Sequence, residues 1–168
     1  MDKNVQYILA NRYFKLNDIY EVRDQKVKYA KAVLTGASKQ AAIEAAELEK
    51  DATLYRCHFE FPASLSLYIN DKQIDAIKDG MTYNSLQVQY ESLVDMVPSL
   101  TEEEKKQIYA WYKEAREFSM DAENSDKKHA AFNKYKGRIN NYLTKRGYDL
   151  VKERNEWYKR LKAAGKKI

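Results

Sequence analysis

The feature that most constrains this chain is its lack of punctuation: 168 residues contain only 5 glycines and 2 prolines. Those two residues are the usual turn-formers and element-breakers, so the segments between them must be long. Between the breaks the apolar residues recur at helical spacing. Val5, Ile8, Leu9, Tyr13, Leu16, Tyr20, Val27, Ala30 and Leu34 fall on one face and predict a helix over about 3–34. Gly36 should stop it, and Ser38 is placed to cap the next. The second helix carries Ala41, Ala45, Leu48, Ala52, Tyr55 and Phe59 as its expected inward stripe. A link as short as Thr35-Gly36-Ala37 implies an antiparallel hairpin, roughly 3–34 against 38–67, with Pro62 kinking or restarting the second arm before Leu65.

Shorter helices follow. Asn70 opens one carrying Ile74 and Ile77, with Gly80 as its stop, and another runs from about Ser85 to Val97, before Pro98. Thr101-Glu102-Glu103-Glu104 is a capping box, in which the Thr hydroxyl and the Glu carboxylate each take the other's backbone amide. Behind it Ile108, Trp111, Tyr112, Ala115, Phe118, Ser119 and Ala122 form an amphipathic stripe. Ser125 caps a helix with Phe132, Tyr135, Ile139, Tyr142 and Leu143 inward, ended by Gly147. A last helix from about Asp149 carries Leu150, Trp157 or Tyr158, and Leu161. The fold class read here is all-α: one helical domain over 1–168, a bundle with a long N-terminal hairpin and four to five shorter helices.

Composition narrows the function classes. The 14 tyrosines and other aromatics argue against disorder. No apolar run approaches the roughly 20 residues of a membrane span; the longest, Ile108 to Tyr112, stops at Lys113. A lone Cys57 excludes an internal disulfide. The net charge of +5 comes from interleaved signs, except at Lys159, Arg160, Lys162, Lys166 and Lys167. Basic residues suit a solvated helix C-terminus, so nucleic acid is not the expected partner.

Chemical motifs are missing: there is no phosphate loop, no His-Glu-x-x-His, no paired Cys and no Gly-x-Ser-x-Gly. His58 and His129 have no ligand partner at helical spacing, and adjacent Cys57 and His58 diverge by about 100° on a helix. No metal and no organic cofactor is expected. Cys57, between Tyr55 and Phe59, reads as a small hydrophobe rather than a nucleophile. A less ordinary segment pairs Arg116, Glu117 and Asp121 on one helix with Lys134, Lys136 and Arg138 on the next. Glu117 and Asp121 repel at i,i+4, as do Lys134 and Arg138, and antiparallel neighbours would cancel both repulsions. Gly137 costs about 1 kcal/mol relative to Ala inside a helix, which a close helix approach or backbone access to a ligand would explain. The cluster is either an interhelical ion-pair network or the lining of a polar cleft. Tyr83, Tyr90, Tyr109 and Tyr148 are less clearly inward than the other tyrosines. Exposed Tyr beside Asn, Arg and Asp suits a sugar, and equally a protein interface.

Four stretches carry a family resemblance: Lys78-Asp79-Gly80-Met81-Thr82-Tyr83, Met96-Val97-Pro98-Ser99-Leu100-Thr101-Glu102-Glu103, Ala115-Arg116-Glu117 with Met120-Asp121-Ala122, and Tyr135-Lys136-Gly137-Arg138-Ile139-Asn140-Asn141-Tyr142-Leu143. A weaker one is Asp18-Ile19-Tyr20-Glu21-Val22-Arg23-Asp24. With these the chain resembles a bacterial family known as domain of unknown function 3826. The resemblance implies an exported protein of polysaccharide-degrading bacteria, periplasmic or extracellular, in a family described as sugar-binding. It also implies a signal, and often a further helical segment, ahead of Met1-Asp2-Lys3-Asn4, which is itself no signal peptide. The leading expectation is a non-catalytic carbohydrate-binding or accessory protein of a glycan-utilisation system. Its ligand residues would be Arg116, Glu117, Asp121, Lys136, Arg138 and Asn141, with Tyr83 or Tyr142 stacking on an oligosaccharide. The alternatives are a helical module that binds another protein and, more weakly, a glycan-active enzyme using Glu117 and Asp121 as acid and base.

Overall fold

A computed structural model of the chain describes residues 2–166. Among them are seven helices and no strand, the all-α class that the periodicity implies. They are α1 (Lys3–Val33), α2 (Gly36–Leu65), α3 (Asp71–Met81), α4 (Ser85–Met96), α5 (Glu102–Met120), α6 (Ser125–Lys145) and α7 (Leu150–Ala163). None is long and apolar enough to cross a membrane. The chain divides into two compact units, Met1–Ala76 and Ile77–Ile168.

The first unit is the long hairpin. Asp2 caps α1 by accepting the amides of Asn4 and Val5. The antiparallel register of α1 on α2 is set by Lys15–Glu60, Arg23–Glu47 and Lys26–Glu49 ion pairs, and by the Arg12 guanidinium 4.5 Å from the Phe61 ring centre. Val5, Ala30, Ala46, Phe61 and Leu65 are buried. Four expectations change here. Gly36, at φ +55°, breaks the chain as expected, but α2 starts at that residue, with Thr35 in the cap position and Ser38 already inside the helix. Pro62 neither ends nor restarts α2, which runs on to Leu65, and the Pro62 carbonyl still accepts the Ser66 amide. The expected inward stripe of α2 faces out: Leu48 and Tyr55 are each 68% exposed and Phe59 57%, while Ala41, Ala45 and Ala52 are exposed beside them. Tyr13 on α1 is exposed as well, its place inside taken by Arg12.

The second unit holds the main core. Leu86, Leu93 and Val97 of the α4 region, Leu100, Ile108, Tyr112 and Ala115 around α5, and Phe132, Tyr135, Ile139 and Leu143 of α6 form one buried cluster. Trp111 packs on its edge, at 5.1 Å and nearly perpendicular to Tyr142. Phe118, expected inward, is 62% exposed and stacks over Tyr135. The capping box forms as expected: Glu104 N–H donates to Thr101 Oγ1 at 3.2 Å and Thr101 N–H donates to Glu104 Oε2 at 2.9 Å. Asn124 rather than Ser125 caps α6, accepting the Lys127 amide, and Asp149 caps α7. Trp157 donates its indole N–H to Asp95, and Arg160 donates to the Asp95 carbonyl. The basic C-terminal residue Arg160 thus closes the end of α4. Lys167 lies outside the described residues.

Candidate functional site

The corner where α3, α5 and α6 meet begins with how α3 ends. Gly80, the expected stop, sits inside the helix, which continues through Met81. The chain reverses instead at Tyr83 (φ +59°) and Asn84 (φ +54°). The Asn84 amide reaches back to the Asp79 carbonyl at 2.8 Å and the Tyr83 amide to that of Gly80 at 3.4 Å. That pair of bonds is the Schellman closure, with Tyr83 in the left-handed position that glycine normally fills. A non-glycine residue held there stores strain, roughly 1–3 kcal/mol, that the surrounding structure must offset. Thr82, fully buried, donates its hydroxyl to the Lys78 carbonyl at 2.9 Å, and Lys128 at the start of α6 donates to that of Met81 at 2.9 Å.

Charges fix this turn from beneath. Arg116 is only 3% exposed and donates to Asp79 Oδ1 at 2.7 Å. Glu117 accepts from Lys78 Nζ at 2.9 and 3.1 Å and lies 3.6 Å from the Arg116 guanidinium. Two acids and two cations therefore alternate between α3 and α5. Above them, 52% exposed, the Tyr83 ring stacks on His129 at 5.3 Å, with Lys128 Nζ 5.6 Å from its centre. Ser119 donates to the Lys128 carbonyl at 3.2 Å, tying α5 to the first turn of α6. Asp121 is the C-cap residue of α5.

The expected site residues are thus divided. Arg116, Glu117 and Tyr83 belong to this corner, but the cation that meets Glu117 is Lys78 and the one at the Tyr83 ring is Lys128, not Lys136 and Arg138; Asp121 is the C-cap residue of α5. Arg138 pairs instead with Glu114 at 3.5 Å and lies over the Tyr135 ring. For Arg116 the reason is angular: at 100° per residue it stands about 200° round α5 from Glu114, the residue that meets Arg138. Lys136 and Asn141 are exposed on α6. Tyr142 packs on Trp111, with Arg146 at 5.4 Å over its ring. Gly137 provides no close approach: a Cβ there would meet nothing within 4 Å. Sequence reasoning missed Lys78 and Asp79 as members of the corner; Lys128 and His129 lie in the segment it singled out as less ordinary but were given no ligand role. Lys78 and Asp79 meet α5 across 37–39 positions, a separation with no local signature, and the pointer available was their place in a family-like stretch.

A second ionic group is Glu104, 2% exposed. Burial alone would push its carboxyl up. The Thr101 amide, the Tyr148 hydroxyl at 2.7 Å and Arg146 Nε at 2.6 Å outweigh that and hold it down at about 2. This is a clamp joining the start of α5 to the end of α6. Burial also pushes the Tyr112 hydroxyl up to about 12, and burial together with Glu114 does the same to Tyr135. Among the described residues no cluster of His, Cys, Asp and Glu could hold a metal.

Such a chain is an all-helical protein with a strained, aromatic-tipped turn set on an ion-pair network. It belongs to the family described as Protein of unknown function (DUF3826), whose model matches residues 1–163. It matches no curated protein.

Proposed function

We propose that this protein is a non-catalytic carbohydrate-binding or accessory protein of an exported glycan-utilisation system, and that the Tyr83 turn is its binding point. One observation carries the reading: a half-exposed tyrosine is held in a conformation that glycine would occupy with less strain, stacked on His129. Strain retained at an exposed aromatic points from the outlier to a use for that side chain. Sugar rings present C–H faces to aromatic planes and hydroxyls to charged groups. Lys128, 5.6 Å from the Tyr83 ring centre, is placed to serve the hydroxyls, with Glu117 and Asp121 of α5 as the acidic candidates. Arg116 is a positioning residue in this scheme, because its guanidinium is buried against Asp79. Lys136, Arg138, Asn141 and Tyr142 lie outside the corner and take no part in it.

The test is Tyr83→Gly, measured for glycan binding on an array and by titration calorimetry, and for thermal stability. The glycine relieves the left-handed strain, so stability should hold or rise by up to about 1 kcal/mol. Binding should fall at least about tenfold, a loss of roughly 1.4 kcal/mol. Loss of stability without loss of binding would make Tyr83 a structural residue and end this reading. So would an array on which the unaltered protein binds no glycan. A helical protein-binding module is the second reading, favoured by the outward stripe of α2.

A further inference from the structure

We infer that the outer face of α2 is a self-association surface, on which a second copy of this chain packs antiparallel, α2 against α2. Ala41, Ala45, Leu48, Ala52, Tyr55 and Phe59 follow one another at alternating steps of four and three. That is the seam of a coiled coil, sustained over about five helical turns. At 100° per residue the seam lies roughly 160° from the Ala46, Lys50, Thr53, Cys57 and Phe61 side that packs on α1. Within the hairpin its three large side chains stay more than half exposed. Isolated exposed apolar residues are ordinary, but a continuous stripe of them marks an interface.

The seam is complementary to itself in one arrangement. In an antiparallel pair, facing positions have numbers that add to a constant. With that constant at 100, Leu48 faces Ala52 of the second copy, Tyr55 faces Ala45, and Phe59 faces Ala41. Every bulky side chain then meets an alanine, and each layer is filled once. A parallel, in-register pair would set Phe59 on Phe59 and Tyr55 on Tyr55, and leave voids at the three alanine layers. A shift by one heptad would bring Leu48 onto Phe59. The flanks of the seam carry Glu44, Glu49 and Asp51 in its first half and Arg56, His58 and Glu60 in its second. Antiparallel packing lays Glu44 beside the Arg56–His58 end of the other copy. Near the axis Glu49 and Asp51 approach their own counterparts, where Lys26 and Lys50 already pair with them. The overlap spans about 27 Å of helix and would bury on the order of 1,000 Å² over both copies, the lower bound of a specific interface.

The experiment is sedimentation equilibrium of the whole chain over a range of concentrations, with three variants. The unaltered protein should move from the 19.7 kDa monomer to twice that mass. Leu48→Glu should remain monomeric at concentrations where the unaltered protein is dimeric, with an unchanged helical circular dichroism spectrum, since Leu48 touches solvent in the single chain. Should Leu48→Glu fail to fold, Tyr55→Arg on the same seam replaces it. Orientation is read with single cysteines in a Cys57→Ser background and a short thiol crosslinker. Asp51→Cys, beside the axis, should link to its own copy. Ser38→Cys should not, because the antiparallel register holds the two copies of that residue some 36 Å apart. A monomer at every attainable concentration overturns the proposal and leaves the face to a different protein. A dimer that survives Leu48→Glu overturns it by placing the contact elsewhere, and efficient linking at Ser38→Cys overturns the antiparallel register.

Discussion

Glu104 shows how a single residue can be both a local signal and a long-range tie. The sequence reveals its first role, because Thr101-x-x-Glu104 is a capping box whatever the tertiary fold. Its second role, accepting from Arg146 and Tyr148 more than forty positions away, has no local trace. The consequence is a pH dependence with a definite sign. Its folded value of about 2 lies below the ordinary 4.5. The charged form is therefore favoured by folding, and that stability is complete above about pH 4.5 and lost as the pH falls towards 2. At about 1.4 kcal/mol per pKa unit the shift is worth at most roughly 3.5 kcal/mol, reduced because Arg146 is partly in water. Urea midpoints of the unaltered protein should fall across that window, and those of Glu104→Gln should start lower and fall less. Parallel curves for the two proteins would show that the carboxylate is not the titrating group.

At the scale of the element, two helix ends make a controlled pair. α6 closes with Gly147 at φ +94°, its amide on the Thr144 carbonyl and the Tyr148 amide on that of Leu143. α3 closes with the same pattern of bonds but places Tyr83 where α6 has glycine. Gly147→Ala should therefore destabilise by about 1 kcal/mol or more. Gly137→Ala should do the opposite, gaining roughly 0.5–1 kcal/mol, because position 137 is helical, exposed and open to a Cβ. Thermal denaturation of both variants checks the two signs, and a Gly137→Ala protein that melts lower would restore a packing role for that glycine. The existence and order of the elements were legible in the sequence because each carries its own cap or break. What was not legible was which of two faces turns inward. α2 has two apolar stripes, and periodicity ranks them by bulk, which selects the one with Leu48, Tyr55 and Phe59. The hairpin instead buries the stripe with Ala46 and Phe61, since small residues let α1 approach and Arg12 covers the phenylalanine ring. The charged cluster failed in the same way. Arg116 and Glu117 were recognisable as unusual, but α3, their real partner, is not the next helix in the chain.

At the scale of the molecule, the two units differ in how their helices are held. The second encloses a core with Ile108, Tyr112, Phe132, Ile139 and Leu143 all nearly inaccessible. The hairpin of the first rests on a single seam, where two of the buried apolar residues, Ala30 and Ala46, contribute little area. Its ion pairs Lys15–Glu60 and Lys26–Glu49 are about half exposed and add at most a fraction of a kcal/mol each. Two helices in contact along one line are marginal unless something covers their other faces. Amide hydrogen exchange should reveal this as a difference in opening free energy. In dilute solution the amides of α1 and α2 should exchange faster than those of α5 and α6. Raising the protein concentration should slow exchange in α2, by about tenfold for each 1.4 kcal/mol that association supplies, and leave α5 and α6 unchanged. Leu48→Glu should abolish the concentration dependence and keep the dilute-solution rates. Uniform protection across all helices at every concentration would mean that the hairpin stands without a covering partner, and that its outer stripe is not what stabilises it.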